Sequence, residues 1–138
     1  MAENLWPDFD LDAQSRTVRR ILIETGMGIE EKSHGAIRFE VESQPRAEGG
    51  LVHNCFLVAQ GLGYRYPFMR VEHGFDEYPV TIFTDAYRSG TQATDEEKLT
   101  AILRQIFNDD TTKKVVLQLL DVVSGSTTRR SWSEYQAL

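Results

Sequence analysis

Apolar positions along this chain repeat with two different periods. Between residues 36 and 43, "AIRFEVES" alternates strictly, with Ile37, Phe39 and Val41 facing one way and Arg38, Glu40 and Glu42 the other. That is the pattern of a strand with one buried and one wet face. "LVHNCFLVAQ" (51–60) is apolar on both faces and belongs nearer the centre of a sheet. "YRYPFMRVEH" (64–73) and "PVTIFTDA" (79–86) read as two more strands, joined by "GFDEY" as a hairpin-like loop. Pro67 has no N–H to give to a ladder, so its strand is expected at an edge or bulged at that point.

Helical spacing governs the two ends. A first helix is expected to begin near Asp12 or Ser15, either of which can cap free backbone N–H groups. It would carry Val18, Ile21, Leu22 and Thr25 on one face until "GMG" (26–28) stops it. "TDEE" (94–97) has the form of a capping box, with Thr94 as cap and Glu97 reaching back. Leu99, Ile102, Leu103, Ile106 and Phe107 follow as one apolar stripe. After "NDDTT", "KKVVLQLLDVV" predicts a last helix with Val116, Leu119, Leu120 and Val123 turned inward.

Consecutive strands followed by helices predict an α+β fold in a single domain. The expected order is α-β-β-β-β-α-α, an antiparallel sheet of about four strands with one N-terminal and two C-terminal helices on one face. Residues 1–12 read as an arm with Leu5, Trp6, Phe9 and Leu11 as docking points, residues 13–123 as the domain, and residues 124–138 as a polar, mobile tail with Trp132 and Tyr135.

Composition narrows the function. A chain of 138 residues can bury a core without staples, and its one cysteine, Cys55, rules out an internal disulfide and fits a reducing compartment. No apolar run marks the N-terminus, so no signal peptide is expected. No stretch approaches the roughly 18 apolar residues of a spanning helix. A cytoplasmic protein is the expectation, with no membrane partner. The net charge of −6, with cations in scattered pairs such as Arg19–Arg20 and Lys113–Lys114, argues against a nucleic-acid partner. It would suit a basic protein partner, or solubility alone.

Candidate chemistry is sparse. His53 and Cys55 share a strand face, but side chains two apart on a strand stand about 7 Å from each other, too far for direct proton transfer. His73, Asp76 and Glu77 crowd the loop after the third strand, and Asp85 could add a carboxylate, yet the spacing matches no metal motif. "GMG" and "GLG" do not form a phosphate cradle, and no GKS/T, HExxH, CxxC or GxSxG run is present. No cofactor and no metal is expected.

The aromatic strand allows two orientations. In one, Met69 and Val71 point into the core and Tyr64, Tyr66 and Phe68 look outward, forming with Arg70, Glu72, Arg38, Glu40 and Glu42 a surface of rings and charges. Tyrosine and arginine are frequent interface anchors. In the other, the rings are core and Arg65 and Met69 cover the outside, which spares three large rings from water.

Four segments, "RRILIETG…GAIRFEV", "HNCFLVAQGLGYRYPFMRVEH", "YPVTIF" and "LTAILRQIFNDDTTKKVVLQLL", look like those of small uncharacterised bacterial α+β proteins. In size, acidity and α+β organisation the chain is also similar to immunity proteins of bacterial polymorphic-toxin systems. That resemblance implies a cytoplasmic protein that neutralises a toxin by binding it, and carries over no individual residue. The expected function is therefore a non-catalytic protein-binding domain, with toxin immunity as its sharpest form. The alternatives are a dimer like a secretion chaperone, a structural subunit, or a small enzyme or ligand-binding domain using a sheet–helix cleft near His53, His73 and Asp76.

Overall fold

The structure, a computed structural model, describes residues 3–9 and 16–127, with side chains to residue 124. Its elements are α1 (Val18–Gly26), α2 (Gly28–Lys32), β1 (Ile37–Pro45), β2 (Leu51–Ala59), β3 (Tyr64–His73), β4 (Val80–Phe83), β5 (Thr91–Ala93), α3 (Glu96–Phe107) and α4 (Asp110–Thr127). The strands form one antiparallel meander in the order β1-β2-β3-β4-β5. The α+β expectation holds, with one strand more than the pattern implied: β5 spans only three residues and has no readable period.

Local chemistry sets the helix ends. Asp12 and Ser15, the expected caps of the first helix, lie outside the described residues. The cap is Thr17, whose hydroxyl accepts from the Arg20 N–H, while Glu77 Oε1 accepts from the Val18 N–H at 2.8 Å. "GMG" ends α1 as expected, but the chain re-enters a helix one residue later as α2. Asp95 rather than Thr94 caps α3, accepting from the Lys98 N–H at 2.8 Å. A carboxylate there also suits the positive end of the helix dipole. α4 runs to Thr127, four residues into the expected tail; Trp132 and Tyr135 lie outside the described residues.

All four helices pack on one face of the sheet. Leu99, Leu103 and Ile106 of α3 meet Val71, Val80 and Ile82, together with Val18, Ile21 and Leu22 of α1. Leu119 of α4, flanked by Val116, Leu120 and Val123, meets Ile37, Leu57 and Ala59. The inward stripes are those the helical spacing predicts. Within the described part of the arm, residues 3–9, Leu5, Trp6 and Phe9 are all well exposed rather than docked, and Leu11 lies outside the described residues.

A bulge in the sheet resolves the orientation of the aromatic strand. Cys55 pairs with Met69, but Phe56 pairs with Pro67, leaving Phe68 as the extra residue. Before the bulge Tyr66 and Phe68 pack on the helix side with Leu57; after it Met69, Val71 and His73 occupy that side. Both sequence-derived orientations are thus realised, one on each half of β3. Pro67 sits in a central strand, and the bulge absorbs its missing N–H.

Candidate functional site

Among the described residues nothing covers the opposite face of the sheet. Register places Arg38, Glu40 and Glu42 of β1 there, opposite Val58, Phe56 and Asn54 of β2. Arg65, Pro67, Arg70 and Glu72 of β3 share that face, as does Phe83 of β4. Two guanidinium groups lie over rings, Arg65 at 4.0 Å from the Phe56 centroid and Arg70 at 4.4 Å from that of Phe83. Carboxylates hold them in place. Arg65 reaches Glu42 at 2.6 Å and Glu40 at 3.6 Å, Arg38 reaches Glu40 at 2.8 Å, and Arg70 reaches Glu72 at 2.8 Å. Exposed ion pairs of this kind add little to stability. Their effect is to present flat, positioned guanidinium groups above apolar surface.

At the bulge the face is hollow. Asn54, Phe56, Pro67, Arg70, Phe83 and Arg88 line a depression of about 370 Å³. Asp85 stands at its rim, half-way to the helix side, where the Tyr66 hydroxyl donates to it at 3.4 Å. Burial, with Asp85 beside it, raises the Tyr66 pKa.

Of the eight residues expected to form one surface, the structure brings together Arg38, Glu40, Glu42, Arg70 and Glu72. Tyr66 and Phe68 stand on the helix-covered side. Tyr64 lies opposite Ala59 in register and is half exposed at the strand end. The aromatic members of the open face are instead Phe56 and Phe83. Phe56 is hidden within a run that is apolar on both faces, and only the alternation 52, 54, 56 marks it as outward.

The histidines converge. His53 and His73 are buried, with their Nε2 atoms 2.9 Å apart. The Gly74 carbonyl can only accept, so His73 Nδ1 carries a proton and donates to it at 2.8 Å. Of the two facing Nε2 atoms one donates and the other accepts. His53 Nδ1 shares a hydrogen bond with the Ser43 hydroxyl at 2.7 Å. Every ring nitrogen of the pair is committed. Burial, then His73, then Arg19 push His53 down to about 4. The connectivity Ser43–His53–His73 has the order of nucleophile, base and orienting group, but a base held that low does not activate a hydroxyl at neutral pH.

A cleft of about 480 Å³ beside the pair is lined by Arg19, Leu51, Phe75 and Glu77 as well as the two histidines, and Asp76 is not among its walls. Cys55 is buried, and burial pushes its thiol up to about 12, which leaves no thiolate at neutral pH. Among the described residues no three His, Cys, Asp or Glu side chains gather as a metal site. No helix there is long and apolar enough to cross a membrane. No family model, curated protein or solved structure matches this chain.

Proposed function

We propose that this chain is a non-catalytic protein-binding domain whose contact surface is the open face of its sheet. One observation carries the reading: a five-stranded sheet with helices on one face presents on the other Phe56, Pro67 and Phe83 beneath positioned arginines, around a hollow. Aromatic and arginine side chains around a recess supply most of the energy of protein interfaces. The partner that fits is a protein with an apolar side chain for the hollow and basic groups for Glu40, Glu42 and Glu72. The net charge of −6 steers such a partner inward.

A photo-reactive amino acid in place of Arg88, at the hollow, tests the surface in the native host. The reading expects one cross-linked partner from that position and none from Arg104, which is exposed on α3. Equal cross-linking from both positions contradicts it. In the immunity form, the partner is toxic when expressed alone. Co-expression of this chain then restores growth, whereas an Arg70→Glu/Phe83→Ala variant does not.

A further inference from the structure

The helix-covered side holds a second recess at the seam between the two halves of the core. Phe39 and Phe68 belong to both hydrophobic clusters, one beneath α3 and one beneath α4. Although they face the helices, both are only partly buried. Interiors normally close over such rings at crystal-like density. Here a space of about 210 Å³ remains above them, with Leu57 in its floor and Phe107 in its wall. Phe107 meets Phe39 edge-on, with centroids 6.1 Å apart, and lies nearly parallel to Phe68 at 6.2 Å. Three rings thus form an incomplete aromatic cage, open on the side of α2.

Its mouth is polar in a particular way. The Thr25 and Thr112 hydroxyls spend their protons on the Ile21 and Ile106 carbonyls, at 2.7 and 2.6 Å, so toward the cleft their oxygens can only accept. Lys32 also lines the opening, and among the described residues it forms no ion pair. In an otherwise acidic chain, that leaves one unneutralised cation beside an aromatic recess.

From this combination we infer that the cleft between α2, Phe107 and the sheet binds a small aromatic carboxylate, with its ring among Phe39, Phe68 and Phe107 and its anionic group at Lys32. The volume exceeds the ~150 Å³ at which an apolar cavity already accepts benzene, leaving room for a second fused ring or a short acid arm. A ring N–H would find acceptors in the two threonine oxygens. This site lies across the sheet from the open face, so it stands or falls independently of the protein-binding reading.

Indole-3-acetate, titrated into isotope-labelled protein and followed by heteronuclear NMR, tests the inference, with 3-(2-hydroxyethyl)indole as its neutral counterpart. Saturable shifts confined to α2, Phe39, Phe68 and Phe107 are expected. Lys32→Glu should weaken the carboxylate about tenfold or more while sparing the alcohol. Gly28→Phe should block both ligands, since Gly28 lines the mouth and a Cβ there meets nothing within 4 Å. Shifts located elsewhere, no saturation, or equal carboxylate affinity in Lys32→Glu would overturn the assignment.

Discussion

His53 and His73, twenty residues apart in the chain, share a single hydrogen bond between Nε2 atoms 2.9 Å apart. The Gly74 carbonyl fixes a proton on His73 Nδ1. The arrangement ties β2 to β3 on the helix side, and burial, His73 and Arg19 together disfavour a charge on His53.

Stability should therefore fall in acid. The folded-state pKa of His53 is about 4, below its ordinary 6.5, so the unfolded chain takes up the proton first. The contribution is complete above pH 6.5 and is lost as pH falls toward 4. It amounts to roughly 3 kcal/mol, at about 1.4 kcal/mol per pH unit. Urea unfolding at a series of pH values reads it directly. In His53→Gln, whose amide can donate to His73 and accept from Ser43, the slope over that interval should largely vanish. An unchanged slope would assign the acid sensitivity to other groups.

Cys55 provides a clock for opening of the sheet. Its thiol is 1% exposed and raised to about 12 by burial. Alkylation at pH 8 is expected to be slow in the native protein and fast in urea, the ratio following the free energy of opening. Fast modification of native protein would contradict this burial.

Gly26 shows a conflict between local propensity and packing. Alanine is the better helix former by about 1 kcal/mol. Yet a Cβ at Gly26 would run into the body of the Phe39 ring. Overpacking of this kind costs about 1–3 kcal/mol, so Gly26→Ala should lower the melting temperature. The double variant Gly26→Ala/Phe39→Leu should lose less than the sum of the two changes.

Tyr78 carries a buried hydroxyl with no hydrogen-bond partner among the described residues. Tyr78→Phe removes that desolvated group and keeps the ring. It should stabilise the fold by about 1 kcal/mol, seen as a higher urea midpoint with an unchanged slope.

Much of this architecture is written in local pattern. β3 has the span its residues predict, β1 and β2 differ by a residue or two at their ends, and α3 and α4 bury the stripes expected of them. What escaped depends on partners distant in sequence. The bulge at Phe68 exists because β2 meets Pro67, and no reading of residues 64–73 alone decides which half turns its rings inward. The histidine pair likewise requires the β2–β3 register. The expected strand over 79–86 is cut short at Phe83, because Thr84 and Tyr87 hydrogen-bond across a turn. Phe56 and Phe83 went unmarked as surface residues because an apolar side chain in a sheet reads as core until the covered face is known.

The most direct test of the central claim is affinity capture from the native host. It would compare, by quantitative mass spectrometry, the unaltered chain, the open-face variant Arg70→Glu/Phe83→Ala and the helix-side control Arg104→Glu. The account predicts one stoichiometric partner held by the unaltered chain and the control and lost from the open-face variant, with all three equally folded. A partner held equally by all three, or none held by any, would contradict it.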